Sequence, residues 1–125
     1  MCAVIGDTQS HRFLIASNSH KRENEVHLIN YSEDSNRIDQ EAIFSIDNGS
    51  SEVWSIASSP YNKDVFVCGL HSVKEGQDRF RVGLYDMSDI LEPSKDFDKR
   101  KLKTKLELGE GVHEKSNVHS VLWED

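Results

Sequence analysis

Apolar and β-branched residues come in short runs along this chain, and each run is closed by a polar stretch. Met1–Ile5 is the first run, followed by Arg12–Ser17 (RFLIAS), Glu25–Tyr31 (EVHLINY) and Glu41–Ile46 (EAIFSI). EVHLINY alternates: Val26, Leu28 and Asn30 fall on one face of a strand, and His27, Ile29 and Tyr31 on the other. The intervening GDTQSH, NSHKREN and SEDSNR are rich in Asn, Asp and Ser, whose side chains bond to nearby backbone and stabilise turns. No segment keeps apolar residues at i, i+3, i+4 and i+7 over three turns, so strands rather than helices are expected.

The pattern then repeats. Glu52–Ser58, Asp64–Leu70, Phe80–Met87 and Leu102–Leu108 read as strands, and Val118–Glu124 (VHSVLWE) as the opening of a third round. The middle of the chain is the most diagnostic part. SEVWSIASSP, DVFVCGL and RFRVGLYDM form three strands in succession, the last ending in the aromatic–Asp pair Tyr85-Asp86. This is the grammar of one blade of a WD-repeat β-propeller, whose repeats carry four strands in roughly 40–45 residues. The expected fold is therefore all-β: a WD-repeat β-propeller fragment of about two four-stranded antiparallel blades plus the first strand of a third. Residues 1–47 would form the first blade and 48–110 the second, with a charged insertion at 88–105; residues 111–125 would open the third. The first round departs from a strict repeat by ending in Asn30-Tyr31, where the second has Tyr85-Asp86.

Composition narrows the partners. The chain has 125 residues, enough for one modest core. Its formal charge of −7 disfavours nucleic-acid phosphates and anionic lipid as general partners. No apolar run approaches the ~20 residues of a membrane-spanning helix, and MCAVIGD lacks the basic leader and long apolar core of a signal peptide. The two cysteines, Cys2 and Cys68, have neither the number nor the spacing of a disulfide framework or metal site, and read as reduced thiols of a cytoplasmic protein.

Catalytic constellations are not evident, and no enzymatic activity and no cofactor are expected. His11, His20, His27, His71, His113 and His119 show no H-x-x-x-H or H-E-x-x-H spacing. Cys68 and His71 stand three apart in a strand, which sends them to opposite faces and makes a nucleophile–base pair geometrically poor. Gly69, Gly76 and Gly83 build neither G-x-G-x-x-G nor a P-loop, and the carboxylates look scattered among loops. Trp54 and Trp123 occupy matching positions, in VWSIAS and VLWED. That repetition favours large aromatics filling the wedge between neighbouring sheets over exposed binding anchors. Trp54, Tyr85, Asp86 and Trp123 are thus expected to be structural blade positions. The insertion concentrates charge, and Lys99, Arg100 and Lys101 are its candidate docking residues for an acidic partner. A solvated loop leading into a lysine-protected edge strand is the plainer reading of the same residues.

Three stretches carry a family resemblance: RFLIASNSHKRENEVHLINYSEDSNRI with Asn24, Val26 and His27; SEVWSIASSP with Glu52, Trp54, Ile56, Ser59 and Pro60; and VHSVLWED. In these the chain resembles the N-terminal part of the EARP-interacting, TSSC-type WD-repeat propellers; the loops and the charged insertion match poorly. The resemblance implies a longer propeller and a non-enzymatic scaffold. Such a scaffold would bind the EARP and GARP vesicle-tethering complexes in endosomal recycling and retrograde traffic. It would be cytoplasmic, peripheral to endosomes and the trans-Golgi network, with protein partners and no insertion into the membrane. The alternative is a general WD-repeat scaffold, such as a ubiquitin-ligase substrate receptor or a chromatin-associated adaptor. Two blades without their neighbours would leave blade faces and strand edges uncovered, so the isolated chain is expected to self-associate.

Overall fold

The computed structural model describes residues 1–19, 21–46, 50–88, 100–101, 104–108 and 120–123. Among these, all regular structure is β and falls into two sheets. β1 (Cys2–Ala3), β2 (His11–Ala16), β3 (Glu25–Ser32) and β4 (Arg37–Ser45) form an antiparallel meander. β5 (Glu52–Ser58), β6 (Val65–Lys74) and β7 (Gln77–Asp86) form a second, which β9 (Thr104–Leu108) extends in antiparallel fashion beside β7. The two-residue β8 (Arg100–Lys101) joins the first sheet, lying parallel to β4 at Phe44–Ser45.

Alternation sets the core. Leu14, Leu28 and Ala42 lie opposite one another in one cross-strand row, and Ala16, Val26 and Phe44 in the next. In the second sheet Phe66 faces Tyr85, while Ile56, Cys68 and Gly83 share a row. Leu14, Val26, Leu28, Phe44, Phe66 and Cys68 are wholly buried, and they belong to one apolar cluster contributed by both sheets. Shared burial of this kind drives the sheets together, since each has one face that water does not solvate well.

The sheets meet where β1 and β2 approach β5. Ser58 fastens this seam: its hydroxyl accepts from the Ile5 N–H at 3.1 Å and donates to the Ala3 carbonyl at 2.6 Å. Gly6 is required alongside it. A Cβ there would stand 2.8 Å from the Lys63 nitrogen and 3.0 Å from the Ser59 carbonyl oxygen, both backbone atoms that cannot swing aside.

Of the register shifts among the described residues, those between β3 and β4 and between β5 and β6 re-aim side chains. The first breaks the β3–β4 register after Leu28 and leaves Glu41 unpaired in the ladder. Glu41 then reaches Arg12 at 2.8 Å and accepts from Asn30 at 3.1 Å, while Arg12 also pairs with Asp7 at 3.3 Å. The second bulge lies between Val53 and Ser55 and places Val53 and Ile56, three residues apart, on the same core-facing side.

Several strands run further than their apolar content suggests. β4 begins at Arg37, with residues 37–40 exposed, because Ser32 and Arg37 already pair next to a turn in which Asn36 has a φ of +50°. β6 and β7 continue through polar residues to a two-residue turn, Glu75-Gly76. Both turn residues have positive φ (+53° and +75°), the geometry that matches strand twist in a tight hairpin.

The C-terminal half brings differences. Sequence order places the charged insertion in the second round of strands, yet Arg100 and Lys101 add to the first sheet. Ladder formation depends on which edge is within reach, and sequence order does not determine that. Of the expected strand Val118–Glu124, residues 120–123 are described and form no ladder. They lie along β5, where the Val121 N–H donates to Ser55 Oγ at 3.1 Å and Trp123 Nε1 donates to the Ala57 carbonyl at 3.1 Å. Lys99, His20, His113 and His119 lie outside the described residues, as does most of the insertion and of segment 111–125.

Candidate functional site

A cleft of about 370 Å³ opens between the two sheets. Ser19, Lys21, Arg22, Glu23 and Asn24 of the β2–β3 loop line one side, and Ser50 just before β5 with Glu52, His71, Ser72 and Val73 of the second sheet line the other. The loop is shaped by its own short polar side chains. Ser19 Oγ accepts from the N–H groups of Lys21 and Arg22, and buried Asn24 bonds both the N–H and the carbonyl of Ser19. These local bonds turn the chain in a tight polar loop and leave Lys21 and Arg22 exposed at the rim.

The opposite wall carries a connected polar and aromatic cluster. Glu52, His71 and Phe80 are cross-strand neighbours on β5, β6 and β7. His71 sits between two carboxylates, with Nδ1 at 3.0 Å from Glu52 Oε2 and Nε2 at 2.9 Å from Asp78 Oδ1. Trp54 Nε1 donates to the same Glu52 oxygen at 2.8 Å. The rings of Trp54 and Phe80 lie 5.1 and 5.4 Å from their cluster neighbours His71 and Trp54, and His71 lies 4.8 Å from Phe80. The side chains of Glu52 and His71 are only 8% and 9% exposed, whereas that of Asp78 is 71% exposed.

Burial alone would lower the proton affinity of His71. The hydrogen bonds to Asp78 and Glu52 and the negative charge of both outweigh it, so the imidazole pKa lies above its ordinary value. The two carboxylates approach opposite ring nitrogens and share no common point. Among the described residues no group of three or more His, Cys, Asp or Glu is placed to hold a metal ion.

The residues singled out from sequence distribute themselves as follows. Trp54 packs on His71 and Phe80 within its own sheet and remains 40% exposed, because the bulge beside it turns the side chain outward. Trp123 is half-buried against β5. Tyr85 is 1% exposed and stacks on Phe66 at 5.4 Å, and Asp86 accepts from the Ser88 N–H at 2.9 Å. Cys68 and His71 point to opposite faces of β6, and burial pushes the Cys68 thiol pKa far up, leaving it a packed apolar group. Arg100 and Lys101 lie at the outer edge of the first sheet, away from the strands that carry the cluster.

Sequence spacing does not group Glu52, His71 and Asp78, since Asp78 and His71 are seven residues apart and the carboxylates read as scattered. The available signal was the Glu75-Gly76 pair. Taken as a two-residue hairpin turn, it places Asp78 opposite Val73, two residues from His71 on the same face.

No helix among the described residues is long and apolar enough to cross a membrane. No family model matches the chain, and no solved structure matches it. The chain is 26% identical over 77 residues to the EARP-interacting protein homolog of Danio rerio, a match covering 62% of this chain and 19% of that protein. The chain is thus similar to one stretch of a much longer EARP-interacting protein homolog.

Proposed function

We propose that this chain is part of a non-enzymatic WD-repeat adaptor that binds EARP- and GARP-type vesicle-tethering complexes in endosomal recycling and retrograde traffic. The single observation that carries the reading is the 26% identity to an EARP-interacting protein homolog. The architecture is compatible with it. Two meanders follow one another in the chain, and their first strands, β1 and β5, approach each other, as in successive blades around a propeller axis. A rigid β scaffold with polar loops offers docking surfaces without needing a cofactor. In this reading the protein works in the cytoplasm, peripheral to endosomes and the trans-Golgi network. Affinity capture from lysate, with this chain and a full-length relative as parallel baits, tests the reading. Tether subunits are expected on both. Their absence from both would overturn the assignment and favour a general WD-repeat scaffold.

The second sheet adds a property to this reading. Ala57, Val67 and Leu84 form a cross-strand row on the face turned away from the shared core, and each is only half-buried. An apolar sheet face that retains solvent contact favours association with a like face. The isolated chain is therefore expected to self-associate, and light scattering that returns a monodisperse monomer at high concentration would contradict this.

A further inference from the structure

We propose that His71 is a pH-operated clamp on the tip of the β6–β7 hairpin: as an imidazolium it ties Asp78 to the buried Glu52, and as a neutral ring it releases Asp78 and loosens the tip that walls the cleft. The inference is independent of the adaptor reading and rests on hydrogen-bond chemistry. A neutral imidazole has one N–H and one lone pair. Carboxylate oxygens stand at 3.0 Å from one ring nitrogen and 2.9 Å from the other, so only the doubly protonated ring donates to both.

The exposure of the two acids decides which contact is lost. Glu52 is nearly sealed from water, so leaving its charge without the His71 donor is costly; Asp78 is 71% exposed and readily solvated. The neutral ring therefore keeps its proton on Nδ1, toward Glu52, and turns the lone pair of Nε2 toward Asp78. That contact becomes repulsive, and Asp78 moves out into solvent. Asp78 pairs with Val73, one step before the Lys74–Gln77 pair that closes the hairpin. Val73 also lines the cleft, so the change reaches the cleft wall directly. Trp54 stays hydrogen-bonded to Glu52 in either state.

The other charged groups around the clamp come from every neighbouring element. Arg81 on β7 reaches Ser51 Oγ at 2.9 Å, and Arg79 is two residues before it; Lys74 and Glu75 stand at the hairpin tip. Across the cleft lie Lys21, Arg22 and Glu23. They are five cations and two carboxylates, a net positive surround that does not favour an imidazolium, so Glu52 and Asp78 are the groups that hold the proton. The sign of the pH dependence follows. The folded state binds the proton more tightly than the unfolded chain, so the clamp contributes fully below the ordinary imidazole pKa of about 6.5 and is lost as pH rises through the higher folded value.

NMR titration of the full chain from about pH 5 to about pH 9 tests the clamp across the range in which imidazole changes charge. The His71 ring signals, the amides of residues 72–79 and the Trp54 indole N–H are followed together. The hairpin amides are expected to shift with the midpoint of the His71 ring. Asp78→Asn, at an exposed position that leaves the core intact, is expected to weaken proton binding at His71 about threefold, the scale of one partly exposed ion pair, and to uncouple the amides from the ring. His71→Gln keeps a donor for Glu52 and is expected to abolish the titration of the tip. Hairpin amides that ignore the His71 midpoint, or a midpoint unchanged by Asp78→Asn, would overturn the proposal.

Discussion

Phe44→Ala is expected to lower the unfolding free energy by about 3–5 kcal/mol, the range for removing a fully buried aromatic ring. Phe44 is wholly excluded from water, faces Val26 across the β3–β4 ladder and belongs to the cluster that both sheets share. Its neighbours are fixed by backbone pairing on both sides, with β3 on one edge and β8 on the other. Strands held by ladders on two edges cannot collapse into the space a ring leaves, so the cavity persists and adds to the lost transfer energy. A small domain has roughly 5–15 kcal/mol in total, and a loss of this size removes much of it. Urea unfolding followed by tryptophan fluorescence measures the change from the midpoint at constant slope. A loss below about 1 kcal/mol would mean that Phe44 is not central to the core.

Gly83→Val is expected to cost about 3 kcal/mol, at the upper end for an overpacked core. Glycine in mid-strand weakens a ladder unless something needs the space, and here the ring of Tyr85 needs it. A Cβ on Gly83 would stand 2.5 Å from Tyr85 Oη and 2.7 Å from two of its ring carbons. Tyr85 cannot yield easily, because it is 1% exposed and stacks on Phe66 with an interplanar angle of 25°. Two branched methyl groups make the conflict worse than one. Gly76→Ala is the contrasting substitution: no atom lies within 4 Å of its Cβ position, and only the φ of +75° resists, worth about 1–2 kcal/mol. Thermal unfolding of both variants separates steric conflict from backbone strain. Equal losses at the two positions would refute the crowding argument at Gly83.

Much of the strand pattern is legible because it follows from a local period. In EVHLINY, Val26 and Leu28 alternate with His27 and Ile29, and the buried face is the one that carries Val26 and Leu28. RFLIAS, EVWSIAS and the apolar part of VFVCGLHSVK are strands for the same reason: β-branched and aromatic residues suit a pleated, half-buried surface. Less legible is how far a strand continues once its apolar residues end. Residues 37–40, 72–74 and 77–79 are mostly polar and still paired, because a turn holds the two arms in register whatever side chains they carry.

The amino-acid sequence by itself determines that the chain is built of short strands, where most of them lie, and that Cys68 is an inert apolar thiol, because these depend on alternation and hydrophobicity along the chain. Tertiary structure decides what non-local pairing controls. It turns Trp54 outward at a bulge, adds Arg100 and Lys101 to β4 of the earlier sheet, and lays Val121 and Trp123 along β5. It also gathers Glu52, His71 and Asp78 from three strands into one cluster on the cleft wall. Ladder register fixes which distant residues become neighbours, and a one-residue bulge reverses which face a side chain takes; neither is written in the local period of the sequence.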